Sequence, residues 1–128
     1  MADMRIALVA FILAAAPVAA APAADPPETV VVVYSPQAGK EAAVDELIRL
    51  HFATVRKLRL VTADPHVTYR DKDAGGRPIF VDILTWKSHA APDDAPAEVR
   101  AIWVKMEAAC EKRDGRRGID FHEVDLLR

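Results

Sequence analysis

The chain has 128 residues, a mass of 14.0 kDa and a formal net charge of −2 at pH 7. This length accommodates one domain and excludes both a multidomain enzyme and a complete dinucleotide-binding domain. A pI of about 6.1 predicts no general attraction to nucleic acid or to an anionic membrane surface.

The N-terminal segment is typical of a secretory signal peptide. Eleven of its first 24 residues are alanine, and an apolar run from Ile6 to Ala16 follows Arg5. Small residues come next, so cleavage is expected after Ala20 or nearby. The run is about half of the roughly 20 apolar residues that a membrane span needs, so we expect no stable membrane association. We predict a periplasmic or secreted protein with a signal peptide over 1–20, a disordered lead over 21–27 and one domain over 28–128.

Strand and helix patterns alternate along the rest of the chain. Strands are rich in β-branched and aromatic residues, whereas helices repeat apolar residues at spacings of three and four. The segment Ala90 to Pro96 contains two prolines and is expected to be irregular. The predicted order is strand Glu28–Ser35, helix Lys40–Leu58, strand His66–Arg70, strand Pro78–Trp86, helix Ala97–Lys112 and strand Ile119–Leu127.

This β-α-β-β-α-β order predicts an α+β fold of the ferredoxin-like type. In that arrangement the four strands form one antiparallel sheet and both helices cover the same face. A monomeric protein of this kind needs polar residues on the uncovered face of its sheet.

The first and third predicted strands are instead apolar on both faces. Val30 and Val32 alternate with Val31 and Val33, and the strand from Pro78 to Trp86 has the same two-sided pattern. Two helices cover only one face, and an exposed apolar sheet is unusual for a monomer. The sequence therefore predicts a homodimer whose sheets pack face to face into an α/β barrel. An unrelated partner protein on that face is the alternative.

Two short motifs, together with the order of elements, resemble those of a known family. Pro36-Gln37-Ala38-Gly39-Lys40-Glu41 leads into the first helix, and Leu84-Thr85-Trp86-Lys87-Ser88 ends the third strand. Over about residues 28–127 the chain resembles the dimeric α/β-barrel superfamily, and more narrowly the antibiotic-biosynthesis-monooxygenase (ABM) type of domain. The superfamily includes cofactor-independent oxygenases of phenols and quinols, haem-degrading enzymes and domains without established activity.

The resemblance implies a ligand cavity between sheet and helices in each subunit. Trp86 matches the third-strand tryptophan that lies near the substrate in the oxygenases. The oxygenases and haem degraders also use an asparagine, which this chain lacks, and haem degraders place a histidine on the second helix, where Ala97 to Lys112 has none.

Several polar and aromatic residues are candidates for such a cavity. His51 lies on the apolar stripe of the first helix and is either the tentative catalytic base or a hydrogen-bonded core histidine. Tyr34 and Tyr69 either line the cavity with Trp86 or fill the core. His89 follows the third strand and is a further candidate ligand contact.

Asp82 is a carboxylate in the middle of the third strand, where a lone charge is costly. Arg70 on the neighbouring strand is its expected partner, which makes a structural ion pair more probable than an acid–base role.

No cofactor and no metal site are predicted. The four histidines lack the spacing of known metal motifs, and His89 with Asp93 and Asp94 is the one loop candidate for a cation. Cys110 is the single cysteine and is expected to be a small buried residue that forms no disulfide.

Two functional hypotheses follow. The first is an exported homodimer that binds a small apolar or aromatic molecule through Trp86, Tyr34, Tyr69, His51 and His89, without defined chemistry. The second is a cofactor-independent monooxygenase of a phenol or quinol with His51 as base, and haem binding ranks third.

Overall fold

The computed structural model describes residues 25–127, so the predicted signal peptide and the first part of the lead lie outside the described residues. The elements are β1 (Glu28–Tyr34), α1 (Glu41–Lys57), β2 (Val67–Lys72), β3 (Pro78–Trp86), α2 (Ala90–Asp93), α3 (Ala97–Ala109) and β4 (Ile119–Val124). The predicted β-α-β-β-α-β order is confirmed, with the short helix α2 added before α3. Across residues 25–127, no helix has the length and apolarity needed to cross a membrane.

The four strands form one antiparallel sheet in the order β2-β3-β1-β4. The apolar strands β1 and β3 are central, and the edge strands β2 and β4 carry most of the charged residues. Val32 of β1 pairs with Asp82 of β3 on one side and with Phe121 of β4 on the other. This register decides which side chains share a face, because side chains of directly paired residues point to the same side.

The core lies between one face of the sheet and the two long helices. Both helices bury an apolar stripe at helical spacing, and α1 packs against α3. The sheet contributes alternate residues from the central strands. The main buried residues of this core are Val30, Val32, Tyr34, Val44, Ile48, Val55, Phe80, Leu84, Trp86, Val99, Ile102 and Met106.

The other face of the sheet is also apolar, as the sequence predicts. Val31, Val33 and Ile83 are partly exposed there and do not join the core. Val67 is 45% exposed and Tyr69 is 46% exposed on the same face. These side chains form a continuous surface that no described helix covers, and we call it the open face.

Three features of the local structure differ from the prediction. The segment after β3 contains the helix α2, because Pro92 falls in a first turn, where no backbone donor is required. Helix α3 ends at Ala109, and Cys110 is extended because the chain there pairs with Pro36, two residues after β1. Strand β4 ends at Val124 rather than Leu127.

Candidate functional site

Three of the aromatic side chains meet where α1, α3 and the end of β3 converge. The ring centroids of His51 and Trp86 are 6.0 Å apart, and those of Trp86 and Trp103 are 6.2 Å apart, both in edge-to-face geometry. The indole N–H of Trp103 donates a 2.8 Å hydrogen bond to Nε2 of His51. The predicted proximity of His51 and Trp86 is therefore present, but in a packed cluster.

The environment of His51 suits a neutral core histidine. Its side chain is buried, and burial lowers its pKa from 6.5 to about 4, with a smaller contribution from the charge of His66. The nitrogen that would accept a proton already accepts the Trp103 hydrogen bond. The other nitrogen, Nδ1, is buried without a hydrogen-bond partner among the described residues. This geometry opposes a role for His51 as a general base.

The remaining predicted ligand contacts do not share one cavity. Tyr34 is buried on the helix-covered face, and its pKa is raised mainly by burial. Tyr69 pairs with Val81 and therefore points to the open face, so it cannot line a pocket together with Trp86. His89 lies in the turn after β3, near the carboxylates of Glu28 and Glu123. These three residues therefore do not form, with Trp86, the single interior pocket that the sequence predicts.

Asp82 has a different partner from the one predicted. Its fully buried carboxylate accepts hydrogen bonds at Oδ1 from Nε2 of His66 (2.5 Å) and from the hydroxyl of Thr68 (2.7 Å). Arg70 instead pairs with Asp45 on α1 and lies over the ring of Phe80. Because Thr68 is directly opposite Asp82 in the sheet, the start of β2 brings His66 to the carboxylate.

The Asp82 carboxylate fixes the tautomer of His66. Burial raises the pKa of Asp82, and the hydrogen bonds and charge from Thr68 and His66 oppose that increase. With Nε2 of His66 donating to Asp82, Nδ1 is the nitrogen left to accept a proton, and it has no partner among the described residues. Oδ2 of Asp82 is likewise buried without a partner in that part of the chain.

His66 opens into a surface cleft between α1 and β2 with a volume of about 730 Å³. The ring of Phe52 stacks on the imidazole of His66 with centroids 3.6 Å apart and planes at 10°. Three of the lining residues are cationic and none is acidic. The lining residues are Arg49, Phe52, Ala53, Arg56, Lys57, His66 and Thr68.

The residues that α1 contributes to the cleft form a second stripe on that helix, which a pattern of apolar residues alone does not reveal. These five residues recur at i, i+3, i+4, i+7 and i+8, starting at Arg49, and so form one face of the helix. This stripe lies beside the buried one, and it mixes an aromatic ring with basic side chains. In the sequence alone, Arg56 and Lys57 indicate a solvated helix end, because basic residues are favoured at the C-terminus of a helix.

Cys110 matches its predicted role as a small buried residue. Its thiol is buried, and burial raises its pKa to about 11. A thiol in this state is a poor nucleophile at neutral pH.

Comparisons with known protein families and with characterised proteins gave no match. Solved structures do show the same fold. A crystal structure named antibiotic biosynthesis monooxygenase is 18% identical, with a TM-score of 0.59 over 79% of this chain and 99% of the other. A dimeric ferredoxin-like protein of unknown function from Jannaschia sp. CCS1 is 18% identical, with a TM-score of 0.58 over 78% and 99% of the two chains.

A conserved protein from Methanosarcina mazei Go1 is 12% identical, with a TM-score of 0.58 over 77% of this chain and 90% of the other. The resemblance to ABM-type domains is thus confirmed at the level of the fold. At such low identity the likeness carries no activity with it.

Proposed function

We propose that the chain is a homodimeric ABM-type domain that binds a small aromatic anion in the cleft between α1 and β2. The observation that carries this proposal is the partly exposed His66, which is bonded to the buried Asp82 and lies in the cleft beside a stacked Phe52 ring and a cationic rim. The cleft differs in its lining from the pocket expected from the sequence, but it also lies between sheet and helix.

The chemistry of the lining supports an aromatic, negatively charged ligand. Phe52 and His66 present ring surface, which favours a planar ligand. Arg56 and Lys57 favour a carboxylate or phenolate, whereas a neutral ligand leaves their charge without a partner. Nδ1 of His66 offers one directional acceptor, which a hydroxyl group on the ligand can satisfy.

The open face supports the homodimer. Val31, Val33 and Ile83 are only partly covered, and the nearly half-exposed Val67 and Tyr69 extend the surface to the edge of the sheet. A second copy of the same face would bury these side chains by two-fold symmetry. The Jannaschia protein with the same fold is described as dimeric.

Ligand-observed NMR with matched aromatic probes tests the binding proposal. We use benzoate and 4-hydroxybenzoate as anions and benzamide as the neutral analogue. The anions are expected to bind roughly tenfold more tightly than the amide, since a charge-assisted hydrogen bond contributes more than a neutral one. Removing charge at the rim with the double substitution Arg56→Gln and Lys57→Gln should abolish that preference.

Arg100→Gln is the matched control, because it removes a charge from an exposed residue of α3 that does not line the cleft. This variant should bind the anions like the unaltered protein. Equal binding of benzoate and benzamide, or equal losses in the rim and control variants, would refute the aromatic-anion site.

A cofactor-independent monooxygenase is the second candidate function. Nδ1 of His66 is a free proton acceptor whose ring is held by Asp82, and this is the arrangement needed to deprotonate a phenol in the cleft. A deprotonated quinol can itself transfer electrons to oxygen, so no bound cofactor is required. Oxygen uptake with a panel of hydroquinones should then fall sharply in His66→Gln and remain in His51→Gln. Absence of uptake above the protein-free rate rejects this function.

We also propose export of the chain, on the basis of the apolar run Ile6–Ala16 alone. N-terminal sequencing of the protein purified from the separate fractions of the cells that produce it tests this proposal. A mature N-terminus between residues 21 and 25 supports export, and a chain that begins at Met1 or Ala2 contradicts it.

A further inference from the structure

A second group of titratable side chains lies at the opposite end of the sheet from the turn between β2 and β3. One carboxylate oxygen each from Glu28 and Glu123 and one imidazole nitrogen from His89 lie within 4.8 Å of one another. Nδ1 of His89 is 2.9 Å from Oε2 of Glu28 and 3.3 Å from Oε1 of Glu123. None of these residues belongs to the cleft that contains His66.

The sheet brings the two carboxylates together. Glu123 of β4 is directly opposite Val30 of β1, and Glu28 lies two residues before Val30 on the same face. The glutamates are therefore diagonal neighbours on adjacent strands, where two like charges repel. Burial and the neighbouring Glu123 raise the pKa of Glu28, and either a proton or a positive group between the two carboxyl groups relieves the repulsion.

The backbone holds His89 against this pair. The amide of His89 donates to the carbonyl of Pro26 at 3.1 Å, and the amide of Ala90 donates to Oδ2 of Asp25 at 2.8 Å. These bonds fasten the turn after β3 to the segment that leads into β1. The three side chains are thus supported by three separate parts of the chain.

One oxygen of this group lacks the hydrogen bond that burial normally demands. Oε2 of Glu28 is buried and has no hydrogen-bond partner among the described residues, although Nδ1 of His89 is at ion-pair distance. A buried acceptor in this state is costly, and a cation bound to it would remove that cost.

The separations between the donor atoms suit a metal ion. Bonds of about 2.0–2.1 Å from zinc to nitrogen and oxygen place neighbouring ligands of a tetrahedron roughly 3.3 Å apart. The distances from Nδ1 of His89 to the oxygens of Glu28 and Glu123 are 2.9 and 3.3 Å, and all three donor atoms lie within 4.8 Å of one another. The surrounding surface adds the carboxylates of Asp25 and Asp125, so its charge also favours a cation.

A protonated His89 is the competing explanation for the same contacts. A protonated imidazole places one positive charge against the carboxylates of Glu28 and Glu123, and 62% of the His89 side chain is exposed to solvent. A divalent ion supplies two charges and accepts electron pairs from all three donor atoms at once.

We propose that Glu28, His89 and Glu123 bind a divalent transition-metal ion, for which zinc is the best fit. One imidazole and two carboxylates match zinc or manganese better than magnesium, which prefers oxygen ligands alone. Three protein ligands leave a fourth position for water or a small anion. The bound ion would join β1, β4 and the turn after β3.

Isothermal titration of the full, tag-free chain with zinc chloride tests this site. We expect one zinc ion per chain in the unaltered protein, and an affinity at least about tenfold lower in His89→Gln and in Glu123→Gln. Zinc should also raise the thermal midpoint of the unaltered protein and leave that of His89→Gln unchanged, since binding to the folded state alone stabilises it. Magnesium chloride should give neither effect.

His122→Gln is the matched control. His122 is next to Glu123 in the sequence, but it pairs with Val31 and therefore points to the open face. Its removal should leave the affinity for zinc unchanged. The proposal is overturned if zinc fails to bind, if His122→Gln weakens binding as much as His89→Gln, or if zinc binds His89→Gln and Glu123→Gln as tightly as the unaltered chain.

Discussion

The indole N–H of Trp103 and Nε2 of His51 form a hydrogen bond that joins α3 to α1 within the core. Trp103→Phe keeps an aromatic ring but removes the donor, which leaves a buried acceptor without a partner. We expect the free energy of unfolding to fall by about 1–3 kcal/mol, as measured by urea denaturation. Val104→Ala, at a residue that is 67% exposed, should change it by less than about 0.5 kcal/mol.

The double variant His51→Leu/Trp103→Phe separates the hydrogen bond from general packing. It removes donor and acceptor together, so its loss should be smaller than the sum of the losses in the two single variants. Additive losses would show that the bond itself contributes nothing to stability.

The pH dependence of stability should report the burial of His51. Its pKa is about 4 in the folded chain and about 6.5 when unfolded, so the unfolded chain binds the proton more tightly between these values. The stabilisation is complete above pH 6.5 and is lost as the pH falls towards 4. We expect a loss of about 2 kcal/mol from this residue between about pH 7 and pH 5.

His51→Gln isolates that contribution, because glutamine does not titrate and still offers an acceptor to Trp103. The raised pKa of Asp82 acts in the opposite direction, and it is common to both proteins. Urea denaturation at the two pH values should show a steeper loss in the unaltered chain. Parallel losses would contradict the depressed pKa of His51.

The partner of Asp82 can be identified by comparing two single substitutions. His66→Ala removes the ring that donates to the buried carboxylate and should cost about 3 kcal/mol or more, because a buried charge loses its partner. Arg70→Ala removes the pair with Asp45 and the contact with the Phe80 ring, but this arginine is 76% exposed, so the change should cost less than about 1 kcal/mol. Chemical denaturation of both variants measures the difference, and equal costs would contradict the assignment.

The sequence predicts the order of elements and the two faces of the central strands well. Side chains alternate between the two faces of any strand, so the faces of Val30–Val33 and of β3 can be predicted without knowing which strands are neighbours. The proximity of His51 and Trp86 follows in the same way, since each lies on the apolar side of its own element.

Contacts that depend on register are the ones that the sequence does not reveal. His66 lies just before β2, and its contact with Asp82 exists only because Thr68 is the residue opposite that carboxylate. The sequence predicts no metal site and offers His89 with Asp93 and Asp94, its neighbours in sequence, only as a loop candidate for a cation. His89 lies instead beside Glu28 and Glu123, which the pairing of β1 with β4 brings together.

The open face should determine the oligomeric state. Tyr69→Asp places a charge on a surface that the homodimer would bury, where an unpaired carboxylate costs several kcal/mol, so it should shift the protein from dimer to monomer. Val104→Asp adds the same charge to an exposed position on α3 and should leave the dimer intact. Analytical ultracentrifugation of the three proteins measures their masses in solution. A monomeric unaltered chain, or a dimer that persists in Tyr69→Asp, would show that the open face does not pair with its copy.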